Sequence, residues 1–413
     1  MPRDKTAQEI LESVYLEESP KILATLVRLL GDIDLAEDAM QEAVLAASHS
    51  WPVDGVPQNP RSWLISTARF KGIDVARREA KWTVKPSEET ELADPRSLED
   101  FEEESIEDDL LRLVFLCCHP ILSLEHQVAL TLREVCGLST EEIARAFLLN
   151  PTALAQRIVR AKTRIREANV PYEIPQASDL APRRDGVLRV TYLLFNEGYY
   201  TSDRPDLSRK SLSSLAIGLG RTLTKLLPDP EVQGLLALML LHESRRNARV
   251  SSDGTIVLLE DQDRALWDQD LIREGAQLTE AALGRQSVGP YALQAAIAWV
   301  HATSPTFDST NWEQILQYYD LLLAIEPSPV VALNRAVAVS MCQGDRAGLD
   351  LVEELLASGK LSNYCPAYSA QAYFLRRLGQ YSEARRAYER ALELSADEPT
   401  TNYLRRTLAE LGD

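Results

Sequence analysis

Five cations crowd into ten residues of a strongly acidic chain: Arg157, Arg160, Lys162, Arg164 and Arg166, with no acid among them. Guanidinium and ammonium groups at that density neutralise phosphates. Against a net charge of -18, the local sign reversal is more than a stray solvated face. The spacing is helical. Asn150 offers a cap and Pro151 fills a first turn where its missing N–H costs nothing. Leu154, Ile158, Ala161 and Ile165 then form one apolar stripe. At roughly 100° per residue the other face carries Thr152, Gln156, Arg157, Arg160 and Arg164, and Lys162 joins the cations assigned to DNA.

Such a helix needs a support. Gly137 to Phe147 supplies it: Ser139 with Glu142 three residues on reads as a capping box, and Ile143, Ala144 and Phe147 share one face. The two segments, joined at Leu148-Leu149, read as a helix-turn-helix. Its second helix would present polar side chains to base edges and cations to phosphates. An ordinary helical hairpin with a basic outer side is the plainer alternative.

A second constellation lies near the start of the chain. Asp34 with Glu37 opens a helix whose inner side is Ala36, Ala39, Met40, Ala43, Val44 and Ala47. Its outer side, Glu37, Asp38, Gln41 and Glu42, is an acidic row suited to a basic protein surface. Asn59-Pro60 then opens a helix carrying Arg61, Ser62, Trp63, Arg69, Lys71, Arg77 and Arg78. Rings stack on unpaired bases while cations follow the backbone, a combination fitted to single-stranded DNA. Gly72 interrupts this helix at up to about 1 kcal/mol relative to alanine and permits close packing.

The elements that must position these residues are helical almost throughout, so the expected fold is all-α. The chain has 413 residues, 45% of them hydrophobic, enough for several cores. Composition divides it into residues 1–82, an acidic linker 83–109, the helix-turn-helix block 110–171, a helical block 180–290 and a repeat region 291–413. The linker holds twelve acids against Lys85 and Arg96. Within 180–290, only Gly254 to Leu259 suggests a short strand. From 291 a period of about 34 appears. Tyr368, Ala372, Gly379, Tyr381, Ala384, Tyr388 and Ala391 fall at the offsets where tetratricopeptide helices interlock, and Trp312, Ile315, Tyr319, Leu322 and Pro327 repeat half of that pattern, with Tyr291 and Ala295 before them. Five cysteines without CxxC spacing predict free, mostly buried thiols and no metal site. No cofactor motif occurs, and no apolar run of about 18 residues or leader pattern, so no membrane span and a cytoplasmic address are expected.

Taken together and in this order, the acidic helix, the basic aromatic helix and the helix-turn-helix resemble the sigma-70 family of bacterial transcription initiation factors, most nearly the extracytoplasmic-function group. The resemblance covers roughly residues 10 to 170. It implies that Asp34, Glu37, Asp38, Gln41 and Glu42 bind core RNA polymerase. It further implies that Asn59, Arg61, Ser62, Trp63, Arg69, Lys71, Arg77 and Arg78 meet the minus-10 element of promoter DNA, and that Thr152, Gln156, Arg157, Arg160, Lys162 and Arg164 meet the minus-35 element. Asn150 to Arg157 differs from the Ser/Gly/Lys-rich start common in the family's recognition helix, so the promoter sequence does not carry over. One subgroup has a helical extension ending in tetratricopeptide repeats and is associated with small DGPF-type (YCII-like) proteins, which implies a regulatory or supporting role for residues 180–413. The acidic linker invites a further expectation, that it follows the RNA exit path as a nucleic-acid mimic.

Two other classes compete. A polymerase-independent helix-turn-helix regulator with a repeat scaffold explains the DNA-facing helix but not Trp63 and its cations. An enzyme in residues 180–290 would draw on Asn196, Glu197, His242, Glu243, Arg245 and Arg246, with Asp261 and Asp263. That segment carries no phosphate loop, nucleophile elbow or metal pattern.

Overall fold

The structure, a computed structural model, describes residues 6–80, 103–147, 149–200, 212–251, 255–285, 288–395 and 398–411. The chain divides into two compact units, the first Met1–Glu197 with Thr201–Leu215, which includes the start of the helix Leu212–Leu226, and the second Ala216–Asp413 with Gly198–Tyr200. Among the described residues every extended element is helical. The expected strand is reduced to one antiparallel bridge between Val250 and Ile256, followed by a tight turn at Leu259–Asp261.

In the first unit, α1 (Ala7–Leu30) opens with a capping box in which Glu9 N–H donates to Thr6 Oγ1 at 3.2 Å and Thr6 N–H donates to the Glu9 carboxylate at 2.7 Å. It packs against α2 (Ile33–Asp54) and α3 (Pro60–Ala80). The helix predicted from Asp34 begins earlier, because Asp32 accepts from Leu35 N–H at 2.9 Å and takes the cap itself. Asn59 caps α3 as expected, accepting from Ser62 N–H at 3.1 Å. The alanines Ala36, Ala39, Ala43 and Ala47 are buried and keep the α2 surface low, so that Leu26, Leu64, Ile65 and Ala68 close in around them. A side chain at Gly72 would meet the tip of Leu30 at 2.6 Å and Ala39 at 3.4 Å, so α3 lies close against α1 and α2 there.

The remainder of this unit is α4 (Glu103–Cys117), α5 (Leu124–Leu130), α6 (Thr140–Ala146), α7 (Pro151–Glu167) and the first part of α8 (Ala177–Tyr200). Of the acidic stretch read as a linker, 83–102 lies outside the described residues, whereas 103–109 is the start of α4, and Asp109 is fully buried. The amphipathic run Ile106, Leu110, Leu113, Val114 pulls these acidic residues into a helix. Past α5 the backbone widens at Thr131–Val135, closed by Cys136 N–H on the Thr131 carbonyl five residues back, at 3.0 Å.

The second unit is built round α10 (Pro230–Glu243), apolar on every side, with Val232, Leu235, Leu236, Met239 and Leu240 all buried. It follows α9 (Leu212–Leu226) and leads through the short α11 (Arg246–Arg249) to α12 (Gln269–Leu283) and α13 (Pro290–Thr303). Glu231 accepts from Tyr291 and Ala292 N–H, each at 3.0 Å, and so caps α13 with a carboxylate at the positive end of its dipole. Three helix pairs then follow one another: α13 with α14 (Trp312–Ile325), α15 (Pro329–Gln343) with α16 (Asp345–Ala357), and α17 (Cys365–Arg377) with α18 (Tyr381–Leu394), ending in α19 (Glu398–Glu410). Gly379, singled out by its repeat offset, turns the chain between α17 and α18 at φ +76°.

At Gly234 an added Cβ would lie 2.5 Å from the Ala292 backbone nitrogen. Backbone cannot step aside as a side chain can, so α10 and α13 would have to part. Gly234→Ala should lower stability by about 1–3 kcal/mol despite its better helix propensity. Thermal denaturation of the full chain checks this, and an unchanged or raised midpoint would refute the packing argument.

Candidate nucleic-acid and polymerase interfaces

The helix-turn-helix forms as its residues dictate. Glu142 N–H donates to Ser139 Oγ at 3.2 Å while Ser139 N–H donates to the Glu142 carboxylate at 2.8 Å, completing the capping box of α6. Asn150 Oδ1 accepts from Thr152 and Ala153 N–H at 2.9 and 3.2 Å, with Pro151 in the first turn of α7. Leu154, Ile158, Ala161 and Ile165 are buried; Thr152, Gln156, Arg160 and Arg164 are exposed. Arg157 is half-buried and pairs with Glu125 at 3.2 Å, an acid on this face that no local pattern marks. Burial, then the cation of Arg157, hold His126 below its usual value, so the basic face gains no charge from it.

Lys162 leaves that face. It is only 6% exposed, and its ammonium lies 2.8 Å from Glu37, 3.0 Å from Glu134 and 3.5 Å from Asp34. The physical reason is its place in the helix, one residue past buried Ala161, which turns it toward the apolar stripe rather than away from it. Burial alone would lower its pKa, but the charges of Glu134 and Glu37 outweigh that and raise it, so the ammonium stays charged. Arg166 reaches the same helix start, with Nε 2.8 Å from Asp32 and a second nitrogen on Asp34.

The acidic row of α2 is therefore split. Asp38, Gln41 and Glu42 are exposed, and Glu42 pairs with Lys71 at 3.2 Å. Asp34 and Glu37 are engaged by α7. On α3, Arg77 is exposed and Arg69 half-buried, while Arg61 is tied to Glu18 at 3.1 Å. The side chain of Arg78 lies outside the described residues. Trp63 is half-buried, edge-on to Trp51 at 5.6 Å, and Phe70 beyond it is exposed. Ser62 is 1% exposed and belongs to the core, so its place among the minus-10 contacts is corrected: one helical position before Trp63 faces inward with Ile65 and Leu64.

Glu134, Asp109 and Tyr172 were not among the residues read from the sequence. Asp109 is held by Arg28 Nε at 2.8 Å and by Arg112 at 2.6 Å, and the Tyr172 hydroxyl lies 2.8 Å from the Ala24 carbonyl and 2.9 Å from that of Asp109. The signal for Glu134 was an acid within the apolar run Leu130 to Cys136; nothing local marked its partner.

In the second unit, burial and then Arg245 push His242 down to about 3, leaving it neutral, and Glu243 is paired with Arg246 at 2.6 Å. Asp263 caps a turn by accepting from Ala265 N–H at 2.9 Å. These residues have structural work. All five cysteines are free, with Cys117 and Cys118 buried and Cys342 exposed, and burial raises Cys118 to about 11. Among the described residues no helix is long and apolar enough to cross a membrane.

Comparison with known proteins meets this geometry. Residues 14–83 match the Sigma-70 region 2 family, residues 112–165 match Sigma-70, region 4, and residues 183–283 match a family of unknown function, DUF6596. The chain is 43% identical to the uncharacterized protein R00370 of Rhizobium meliloti (strain 1021) over 97% of its own length and 96% of the relative's. It is 24% identical to a probable RNA polymerase sigma factor of Haemophilus influenzae over 176 residues, 38% of this chain and 89% of that protein. The chain belongs to the sigma-70 family of sigma factors, in the form it shares along nearly its whole length with the R00370 protein. Its sigma-70 domains point to a DNA-binding transcription initiation factor, and that class implies core RNA polymerase and promoter DNA as partners.

Burial, joined by the nearby charge of Glu37, raises Glu134 from 4.5 to about 8, with Lys162 offsetting part of it. A raised carboxylate contributes stability in full below its unfolded value and loses it as pH climbs through the folded one. Glu37 runs the other way: burial is outweighed by its bonds to Glu134 and Lys162, its pKa is lowered, and its share is lost in acid. The cluster should therefore weaken as pH rises from about 4.5 to about 8. Glu134→Gln removes that loss. Its melting temperature should fall less than the native chain's over this range, and parallel curves would refute the assignment.

Proposed function

We propose that this chain is a sigma factor of the extracytoplasmic-function group that docks core polymerase through α2, meets the opened minus-10 strand through α3 and reads the minus-35 duplex through α7. One observation carries the reading: a capped helix with four exposed or half-exposed basic and amide side chains, Gln156, Arg157, Arg160 and Arg164, on a chain otherwise rich in acid. The acidic excess limits general DNA coating, so specificity and much of the affinity fall to polymerase. Asp38, Gln41 and Glu42 offer the exposed part of the docking row. Trp63, Phe70 and Arg77 supply the ring and cation surface for unpaired bases.

The second unit, in this reading, is a tetratricopeptide-like extension that regulates or supports transcription in the cytoplasm. Its succession of helix pairs, with Tyr388 and Ala391 buried at the repeat offsets, supports that assignment.

Co-purification with bacterial core polymerase tests the docking role: Asp38→Arg should fold normally and lose binding by tenfold or more, about 1.4 kcal/mol or greater. Retained binding by the folded variant would sink the reading. For DNA, Arg160→Ala should weaken holoenzyme binding and lower the salt dependence by about one phosphate contact. An unaltered salt slope would remove Arg160 from the interface.

A further inference from the structure

The contact between α2 and α7 has an unusual distribution of charge. Lys162 and Glu134 both lie on the helix-turn-helix side, 3.0 Å apart, and would stay paired if α7 lifted away. Asp109 likewise keeps Arg112, three residues along α4 at 2.6 Å, when Arg28 is withdrawn. On the other side Asp32, Asp34 and Glu37 return to solvent, and Asp32 still caps α2 through Leu35 N–H. Breaking a buried ion pair is costly because it strands an uncompensated charge. Here parting leaves Lys162 beside Glu134 and Asp109 beside Arg112.

What it covers is equally specific. Lys162 and Arg166 engage Asp34 and Glu37, the leading half of the acidic row assigned to polymerase, and leave Asp38, Gln41 and Glu42 exposed. A basic partner could therefore begin on the exposed half, where Glu42 alone holds a cation, Lys71, and gain the rest only by displacing Lys162 and Arg166. We infer that Lys162 and Arg166 act as an internal substitute for the basic docking surface of core polymerase, holding the free chain closed until that surface displaces them from Asp34 and Glu37. The inference rests on the docking role proposed above. The Thr131–Val135 turn, which carries Glu134 to Lys162, and Tyr172, which touches both α1 and α4, are the segments that opening would uncover.

The test uses the full chain, purified bacterial core polymerase and no DNA. Arg166→Gln removes an exposed member of the contact and leaves the buried pair in place, so the fold is kept; Arg273→Gln, a surface pair in the second unit, matches its charge change. Arg166→Gln should bind core polymerase about two- to fivefold more tightly than Arg273→Gln, the size expected for releasing a surface-accessible ion pair. Hydrogen exchange on the native chain should accelerate in peptides spanning 131–135 and Tyr172 when polymerase binds, while the start of α2 becomes protected. Equal affinities together with unchanged exchange would overturn the closed state and leave docking intact. Failure of the native chain and of Arg166→Gln alike to bind polymerase would overturn both.

Discussion

A lysine ammonium held among carboxylates from two segments, α2 and the Thr131–Val135 turn, determines how the first unit closes. Lys162 is worth burying only because Glu37, Glu134 and Asp34 surround it; alone, its desolvation would cost several kcal/mol. The widened turn at Thr131–Val135 exists at the same place, and it brings an otherwise buried glutamate onto the lysine. Glu37 and Glu134 then lie close enough for one to depress and the other to raise its affinity for protons. A single cation thus ties α2 to α7, while burial does most to raise Glu134 beside it.

This arrangement gives the chain's acidity a structural meaning. In a protein of net charge -18, a cluster of cations is drawn to the nearest acidic row, and α2 presents one. The same electrostatic complementarity that suits α2 to a basic partner suits it to α7. The outward cations, Arg160 and Arg164, are exposed, so the contact takes up Asp34 and Glu37 while leaving the outer face of α7 accessible.

The second unit rests on different physics. Its centre is a helix with no polar side, and its close approach to α13 depends on the bare backbone at Gly234. Its polar residues of chemical interest are spent on that scaffold: Glu231 caps a helix, Glu243 and Arg246 satisfy one another, and Arg264 donates to the carbonyls of His301 and Ser304 at the end of α13.

Much of this could be read along the chain. The caps at Ser139, Asn150 and Asn59, the buried stripe of α7 and the alanine face of α2 follow from local hydrogen bonding and helical period, which depend on neighbours within a turn or two. Tertiary packing shifts the details by small angles and short distances: Asp32 rather than Asp34 caps α2, Ser62 turns inward, and 103–109 joins α4 because Ile106 and Leu110 have a core to enter. Sequence alone determined the helices, their faces and the class of partner, since those are properties of nearest neighbours. Only the tertiary structure decided that Lys162 turns to Glu37 and Glu134 and not to the outer face of α7, because a side chain's charge is read locally but its counter-charges lie on other elements of the fold.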